Sequence, residues 1–306
     1  MFIIPENFAR EMIALGGAKG RAWLDHLPTI LAKCEQRWEI TIGPPFDLSF
    51  NYVAPAIRSD GTPVVVKAFL PIGDESPQAE APRLFDGHGM VQLLAYDESD
   101  EVMLLERILP GTLLSTLEDD EQATSIAASV MRNMWRPAPL DHPFSSVSKW
   151  GQGFVRLRNH YGGGNGPFPP ALLTKAEKLF AKLTNSMAEP VLLHGDLHHE
   201  NILAATREPW LAIDPKGLIG EPAYETGALL RNQLSVVFEA SQPVRVMARR
   251  VDQLSAELGL DRARICDWGL AQAVLSAWWN IEDFGEMDEG GEGVLACAEL
   301  LAKIKV

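Results

Sequence analysis

The polar segment His194-Gly195-Asp196-Leu197-His198-His199-Glu200-Asn201 is enclosed by two short apolar runs, Val191-Leu192-Leu193 and Ile202-Leu203-Ala204, and a third run, Trp210-Leu211-Ala212-Ile213, ends in Asp214-Pro215. Apolar runs this short read as small strands, so the polar residues fall where strands end and the backbone must form a loop. Upstream, Leu172, Ala176, Leu179, Phe180, Leu183 and Met187 recur at helical spacing and predict an amphipathic helix that leads into the loop. The loop chemistry is equally constrained. A carboxylate at Asp196, an amide at Asn201 and a second carboxylate at Asp214 form the set needed to orient a hydroxyl nucleophile and to hold Mg²⁺ against phosphates. Asp196 is therefore the candidate catalytic residue, and Asn201 and Asp214 are the candidate metal ligands.

Helix, polar loop, hairpin and acidic residue, in that order, is the arrangement of the larger lobe of the protein-kinase fold. Such a fold also needs a lysine on a small-lobe strand and a glutamate on a helix. Val64-Val65-Val66-Lys67-Ala68-Phe69 is a β-branched run entered through the turn Ser59-Asp60-Gly61-Thr62, and it makes Lys67 the candidate. Glu80, at the head of a short helical segment with Leu84 and Phe85, is its expected partner. Val91 to Leu94 and Val102 to Glu106 read as two further strands, after which Glu106, Arg107 and Ile108 form an expected hinge whose backbone meets adenine. The fold class expected is α+β and two-lobed. Residues 1–106 form a small lobe with an antiparallel sheet, preceded by helical stretches near Met12 and Leu27. Residues 107–306 form a larger, mostly helical lobe, with helices over Leu113 to Met134, Val244 to Leu258 and around Trp268 to Ile281.

Taken together, Trp38, Val66-Lys67, Glu80, Leu104-Leu105-Glu106-Arg107, His194-Gly195-Asp196-Leu197-His198, Asn201-Ile202-Leu203 and Ile213-Asp214-Pro215-Lys216-Gly217 resemble the aminoglycoside and hydroxyurea phosphotransferases, within them the streptomycin 6-kinase type. The resemblance runs from about residue 38 to the C-terminus. It implies an ATP- and Mg²⁺-dependent transfer to a small-molecule hydroxyl, as in antibiotic resistance, with an aminoglycoside of the streptomycin type as acceptor. Hydroxyurea, another small metabolite, or a nucleotide-binding pseudokinase acting as a regulator are the alternatives. It also implies that Ser49 acts as a donor in the phosphate-covering loop, Gly43 to Phe50, which lacks a Gly-x-Gly-x-x-Gly pattern. One departure stands out: Gly220-Glu221-Pro222-Ala223-Tyr224-Glu225 carries Glu225 where the family tends to have Asp.

The net charge of −14 argues against a partner with a phosphate backbone and suits a cationic acceptor. Glu282, Asp283 and Glu286, part of an acidic run to Glu292, are candidate acceptor-recruiting groups, with Trp279 a candidate wall of the same pocket. A run of acids in a solvated loop is the alternative. Gly162-Gly163-Gly164-Asn165-Gly166 lacks the Lys-Ser/Thr of a phosphate loop and reads as an insertion. His194 and His198 have the spacing of a zinc pair, but in a loop rather than on a helix, so His194 reads as a buttress of the loop backbone. No apolar stretch reaches the ~20 residues needed to span a bilayer. The start lacks a basic segment before an apolar run, and Cys34, Cys266 and Cys297 are scattered. The expectation is a cytoplasmic protein without membrane or nucleic-acid partners, a monomer or weak homodimer.

Overall fold

The computed structural model describes residues 2–71, 78–187 and 189–305 and divides into two compact units, Met1–Gly111 and Thr112–Val306. In the first, α1 (Glu6–Trp38) is followed by β1 (Ile40–Ile42), β2 (Asn51–Arg58), β3 (Pro63–Phe69), α2 (Glu80–Phe85), β4 (Leu93–Asp97) and β5 (Val102–Glu106). The strands form one antiparallel sheet in the order β1-β2-β3-β5-β4. The β2–β3 turn closes as its Asp-Gly pair requires, with Gly61 at φ 86 and the Thr62 N–H donating to the Asp60 carboxylate. Successive side chains of a strand point to opposite faces. Val64, Val66 and Ala68 join Phe8, Met12, Leu27 and Leu31 of α1 in one core, which puts Lys67 on the other face of the sheet. The helical stretches expected before the sheet form one element that breaks at Gly17, φ 56. Beyond the break, Gly20 passes Met12 so closely that a Cβ would stand 2.0 Å from the Met12 carbonyl oxygen.

The second unit is entered through β6 (Pro110–Leu113) and continues with α3 (Asp120–Met134), β7 (Arg136–Pro137), β8 (Ser145–Ser146), α4 (Val147–Trp150), α5 (Gln152–His160) and α6 (Pro170–Asn185). Then come β9 (Val191–Leu193), β10 (Ile202–Ala205), β11 (Trp210–Ala212) and β12 (Leu218–Gly220). The chain closes with α7 (Pro222–Leu230), α8 (Leu234–Phe238), α9 (Pro243–Leu258), α10 (Arg262–Phe284) and α11 (Glu289–Ala302). The helix expected from Leu113 starts only at Asp120. Leu114–Thr116 form a single 3-10 turn, and the Asp119 carboxylate then accepts from the Glu121 and Gln122 N–H groups to cap α3.

β9 and β12 pair antiparallel, Leu193 opposite Leu218, while β10 and β11 form the hairpin expected after the polar loop, Ile202 opposite Ala212. α10 is the central helix of this unit, packed by α6, α7, α9 and α11. Its Trp268 meets Phe180 and Tyr224 edge-on at centroid distances of 5.1 and 5.0 Å, the geometry that ring quadrupoles favour. Among the described residues no helix is long and apolar enough to cross a membrane.

Candidate active site

β9 delivers His194 and Gly195 to the head of the polar loop. Gly195 has φ +87, and a Cβ there would lie 3.2–3.4 Å from Leu218, Lys216 and the Trp150 ring, so both conformation and crowding call for glycine. The loop backbone is gripped from below by Glu225 of α7. One carboxylate oxygen accepts the His194 N–H at 2.6 Å and the other the Gly195 N–H at 3.0 Å. The glutamate thus anchors the head of the loop through both of its oxygens. Burial pushes the Glu225 carboxyl up to about 7, against the pull of those two N–H donors.

His194 is fully buried and ties the two acidic segments together. Its Nδ1 accepts from the Asp196 N–H at 3.2 Å, and its Nε2–H donates to the Ile213 carbonyl at 2.7 Å, one residue before Asp214. Both nitrogens are committed to the backbone, which removes His194 as a zinc ligand and makes it the loop buttress. Burial lowers its pKa to about 4, so the ring is neutral. Three further backbone bonds complete the join: Lys216 and Gly217 N–H donate to the His194 carbonyl, and the Ile213 N–H donates to the Asn201 carbonyl.

The Asp196 carboxylate is partly open to solvent. Arg231, the residue that follows α7, reaches it with Nη2 at 3.1 Å, and His198 Nε2 lies 4.0 Å from its other oxygen. Burial acts to raise the Asp196 pKa, but Arg231, with lesser help from His198 and Lys216, outweighs it and holds the carboxyl below the usual range. Asn201 donates Nδ2 to the Asp196 carbonyl at 2.9 Å, which fixes its amide, and its Oδ1 has no donor among the described residues. Asp214 is exposed and adopts φ 59, a left-handed conformation that is uncommon outside glycine and that Asp adopts more readily than most residues. The residues that spacing singled out in this unit, Asp196, Asn201 and Asp214, are thus bound into one backbone network. Arg231 and Trp150 carry no motif signal, because the approach of Arg231 to Asp196 and of Trp150 to Gly195 arises only once the segments that bear them pack against the loop.

In the first unit, Lys67 is 5% exposed and sits in register between Val53 and Met103, its Nζ 5.3 Å from the Phe69 ring centroid. Glu80 opens α2 as expected, and its carboxylate forms an ion pair with Arg83 within the same helix. Ser49 is exposed in a loop that folds back on β2 through the Gly43 and Phe46 N–H groups, which donate to Pro55 and Val53. Glu106 ends β5, with its N–H on the Gln92 carbonyl. The Arg107 guanidinium lies 5.2 Å from the Phe46 ring, and Ile108 is buried.

The candidate acceptor residues divide. Trp279 is half-buried on α10, edge-on to Trp150 at 5.2 Å. Glu282, read from sequence as one of several open acids, is held by both nitrogens of Arg156 of α5 at 2.6 and 2.8 Å, a partner 126 residues away. Asp283 and Glu286 are exposed near the end of α10. The glycine-rich insertion is a stapled turn: Arg158 donates to the Gly164 carbonyl and the Asn165 side chain and pairs with Glu177, and a Cβ on Gly166 would strike the Tyr161 ring.

A five-stranded antiparallel sheet in one unit, and a mostly helical unit carrying a loop-and-hairpin acidic site in the other, define a small-molecule phosphotransferase of the protein-kinase-like fold. A solved aminoglycoside phosphotransferase, APH(4)-Ia in ternary complex with ADP and hygromycin B, superposes with a TM-score of 0.60 at 14% identity, covering 90% of this chain and 98% of that one. The chain belongs to the aminoglycoside/hydroxyurea antibiotic resistance kinase family, whose model matches residues 38–284. It is 34% identical to a streptomycin 6-kinase of Streptomyces glaucescens over 92% of this chain and 91% of that protein. It is 33% identical to a hydroxyurea phosphotransferase of Kitasatospora aureofaciens over 92% of this chain and 81% of that protein.

Proposed function

We propose that this enzyme transfers the γ-phosphoryl group of ATP to a hydroxyl of an aminoglycoside of the streptomycin type, in the cytoplasm. The observation that carries the reading is the Asp196 carboxylate, kept ionised by Arg231, partly open to solvent and tied through His194 and Asn201 to the segment bearing Asp214. In this reading Asp196 accepts the proton of the acceptor hydroxyl and points its oxygen at the phosphorus, so that catalysis is positioning and charge placement. Arg231 keeps the carboxylate from protonating first. Glu225, by fixing the His194 and Gly195 amides, holds Asp196 at one height relative to the acceptor.

Asn201 and Asp214 suit Mg²⁺: both offer hard oxygen ligands, and Asn201 Oδ1 accepts from no described donor. The ion would supply neutralisation of the nucleotide phosphates. Lys67, with Glu80 on the neighbouring helix, is assigned to the α- and β-phosphates, Ser49 to the covering loop, and the backbone of Glu106, Arg107 and Ile108 to adenine. Trp279, Asp283 and Glu286 are assigned to the acceptor side, which suits a cation. Glu282 joins them only if Arg156 releases it. The 33% identity to a hydroxyurea phosphotransferase supports a second reading, with hydroxyurea as acceptor. Incubation with γ-labelled ATP, Mg²⁺ and either streptomycin or hydroxyurea decides between them. Label carried by streptomycin is the expected result, label on hydroxyurea alone selects the second reading, and label on neither overturns both.

A further inference from the structure

One large residue to which no motif points packs against the residue that precedes Asp196. Trp150 ends α4, and its Cη2 lies 3.4 Å from the position of a Cβ on Gly195, the residue before Asp196. Its ring meets Trp279 at 5.2 Å and 81°, and Tyr224 at 6.3 Å and 63°. Trp150 therefore runs from the catalytic loop to the outer face of α10. Trp150 and Trp279 are each half-buried. The neighbouring Trp278 is differently placed: 2% exposed and packed edge-on to His160 and Tyr161.

Trp150 is followed by two glycines in close contact with neighbouring helices, Gly151 at the α4–α5 junction and Gly153 in the first turn of α5. A Cβ on Gly151 would lie 2.3 Å from the Phe180 ring, and one on Gly153 would lie 2.5 Å from Leu275 and 3.5 Å from Trp279 Nε1. Gly220 beneath α4 would bring a Cβ within 2.3 Å of Val147. Three close approaches thus press the turn onto α6, α10 and β12 and leave the indole little freedom. Such a held ring binds without a large loss of side-chain entropy.

We infer that Trp150, with Trp279 perpendicular to it, forms an aromatic corner that determines acceptor specificity by receiving a cationic group of the acceptor, guanidinium or ammonium, beside Asp196. An indole attracts a cation to its face, more strongly when water is displaced. Asp283 lies four residues after Trp279 and so on the same side of α10. The net charge of −14 acts in the same direction. The inference rests on the reading of Asp196 as the residue that meets the acceptor hydroxyl, and it adds the group that sorts one acceptor from another.

The test is calorimetric titration of the full chain with streptomycin, in the wild type, Trp150→Leu and Trp150→Phe, with thermal melts of each. Leucine keeps apolar bulk against Gly195 but has no π face, whereas phenylalanine keeps a face. About tenfold weaker streptomycin binding in Trp150→Leu, with Trp150→Phe within about threefold of wild type, is the expected outcome. Nucleotide affinity measured in parallel should stay within about twofold. Equal affinity in the wild type and Trp150→Leu overturns the inference, as does an equal loss in both variants or no streptomycin binding by the wild type. If Trp150→Leu does not fold, the phenylalanine variant decides alone: a loss of tenfold or more there overturns the role of the face. Transfer to streptomycin with affinity independent of Trp150 would leave the proposed function standing without this inference. Affinity that depends on Trp150 without any transfer would do the reverse.

Discussion

The carboxylates of this site differ in what their surroundings ask of them. Asp196 is held ionised by Arg231, so its role is tested by removing the charge and keeping the shape. Asp196→Asn should lower kcat by about 10²–10⁴, the range for a lost general base, while nucleotide affinity changes little. Turnover within tenfold of wild type would remove the assigned role. Asp214→Ala should weaken nucleotide binding far more with Mg²⁺ present than without it, and equal losses in both conditions would make Asp214 structural. Glu225 titrates the opposite way, with burial pushing it up to about 7 from an ordinary value of 4.5, whereas His194 and His199 are pushed down from 6.5 to about 4 and about 3. Between pH 6.5 and 4.5 the unfolded chain gains protons at both histidines that the folded chain does not take up, and acidification destabilises the fold. Over the same window folded Glu225 binds more of a proton than its unfolded counterpart, which partly offsets that loss. The melting temperature should therefore fall from pH 7 to 4.5, and fall more steeply in Glu225→Gln. A variant slope equal to that of wild type would show that Glu225 does not take up a proton in the fold.

At the scale of elements, close approach matters more than propensity. α4 has one helical turn and little stability of its own, and it holds its place because Gly220 of β12 admits Val147 where any side chain would collide. Gly220→Ala should cost about 1–3 kcal/mol by overpacking and displace Trp150 with α4. A melt within 1 °C of wild type would show that the α4–β12 contact yields freely. α7 shows the same dependence in another form: it is almost entirely buried, and it carries Glu225 to the loop amides at one end and Arg231 to Asp196 at the other. One helix and the residue that follows it thus fix both the backbone position of the loop and the charge state of Asp196.

For the molecule as a whole, the excess of acids is a long-range property. A cationic acceptor should bind with a KM that rises as salt increases from about 0.01 to about 0.15 M, where the screening length shrinks from about 30 to about 8 Å. The KM for the anionic nucleotide should not rise in parallel. An acceptor KM that stays flat over this range would leave the phosphotransferase fold and catalytic residues in place and remove electrostatic recruitment from the account. Because Arg156 already neutralises Glu282, Glu282→Gln should alter the salt dependence less than Glu286→Gln.

Local pattern was enough for those parts of the protein in which chemistry and structure share a short segment. The apolar runs around His194 to Asn201, the Asp60-Gly61 turn and the β-branched run through Lys67 each carry their conformation in adjacent residues, so the loop, the hairpins and the strand lysine were legible from sequence. The family motif around Asp196, Asn201 and Asp214 was legible for the same reason. What the sequence could not show is whatever depends on segments far apart in the chain. The start of α3 at Asp120 depended on a side-chain cap that outweighed the apolar run before it, and the pairing of Glu282 depended on Arg156 in another helix. Arg231 at Asp196 and Trp150 at Gly195 likewise exist only because buried helices bring remote residues together. Short-range dihedral and hydrogen-bond preferences act within a few residues and can be read along the chain; packing and charge pairing act through space, and only the tertiary structure decides which side chains share it.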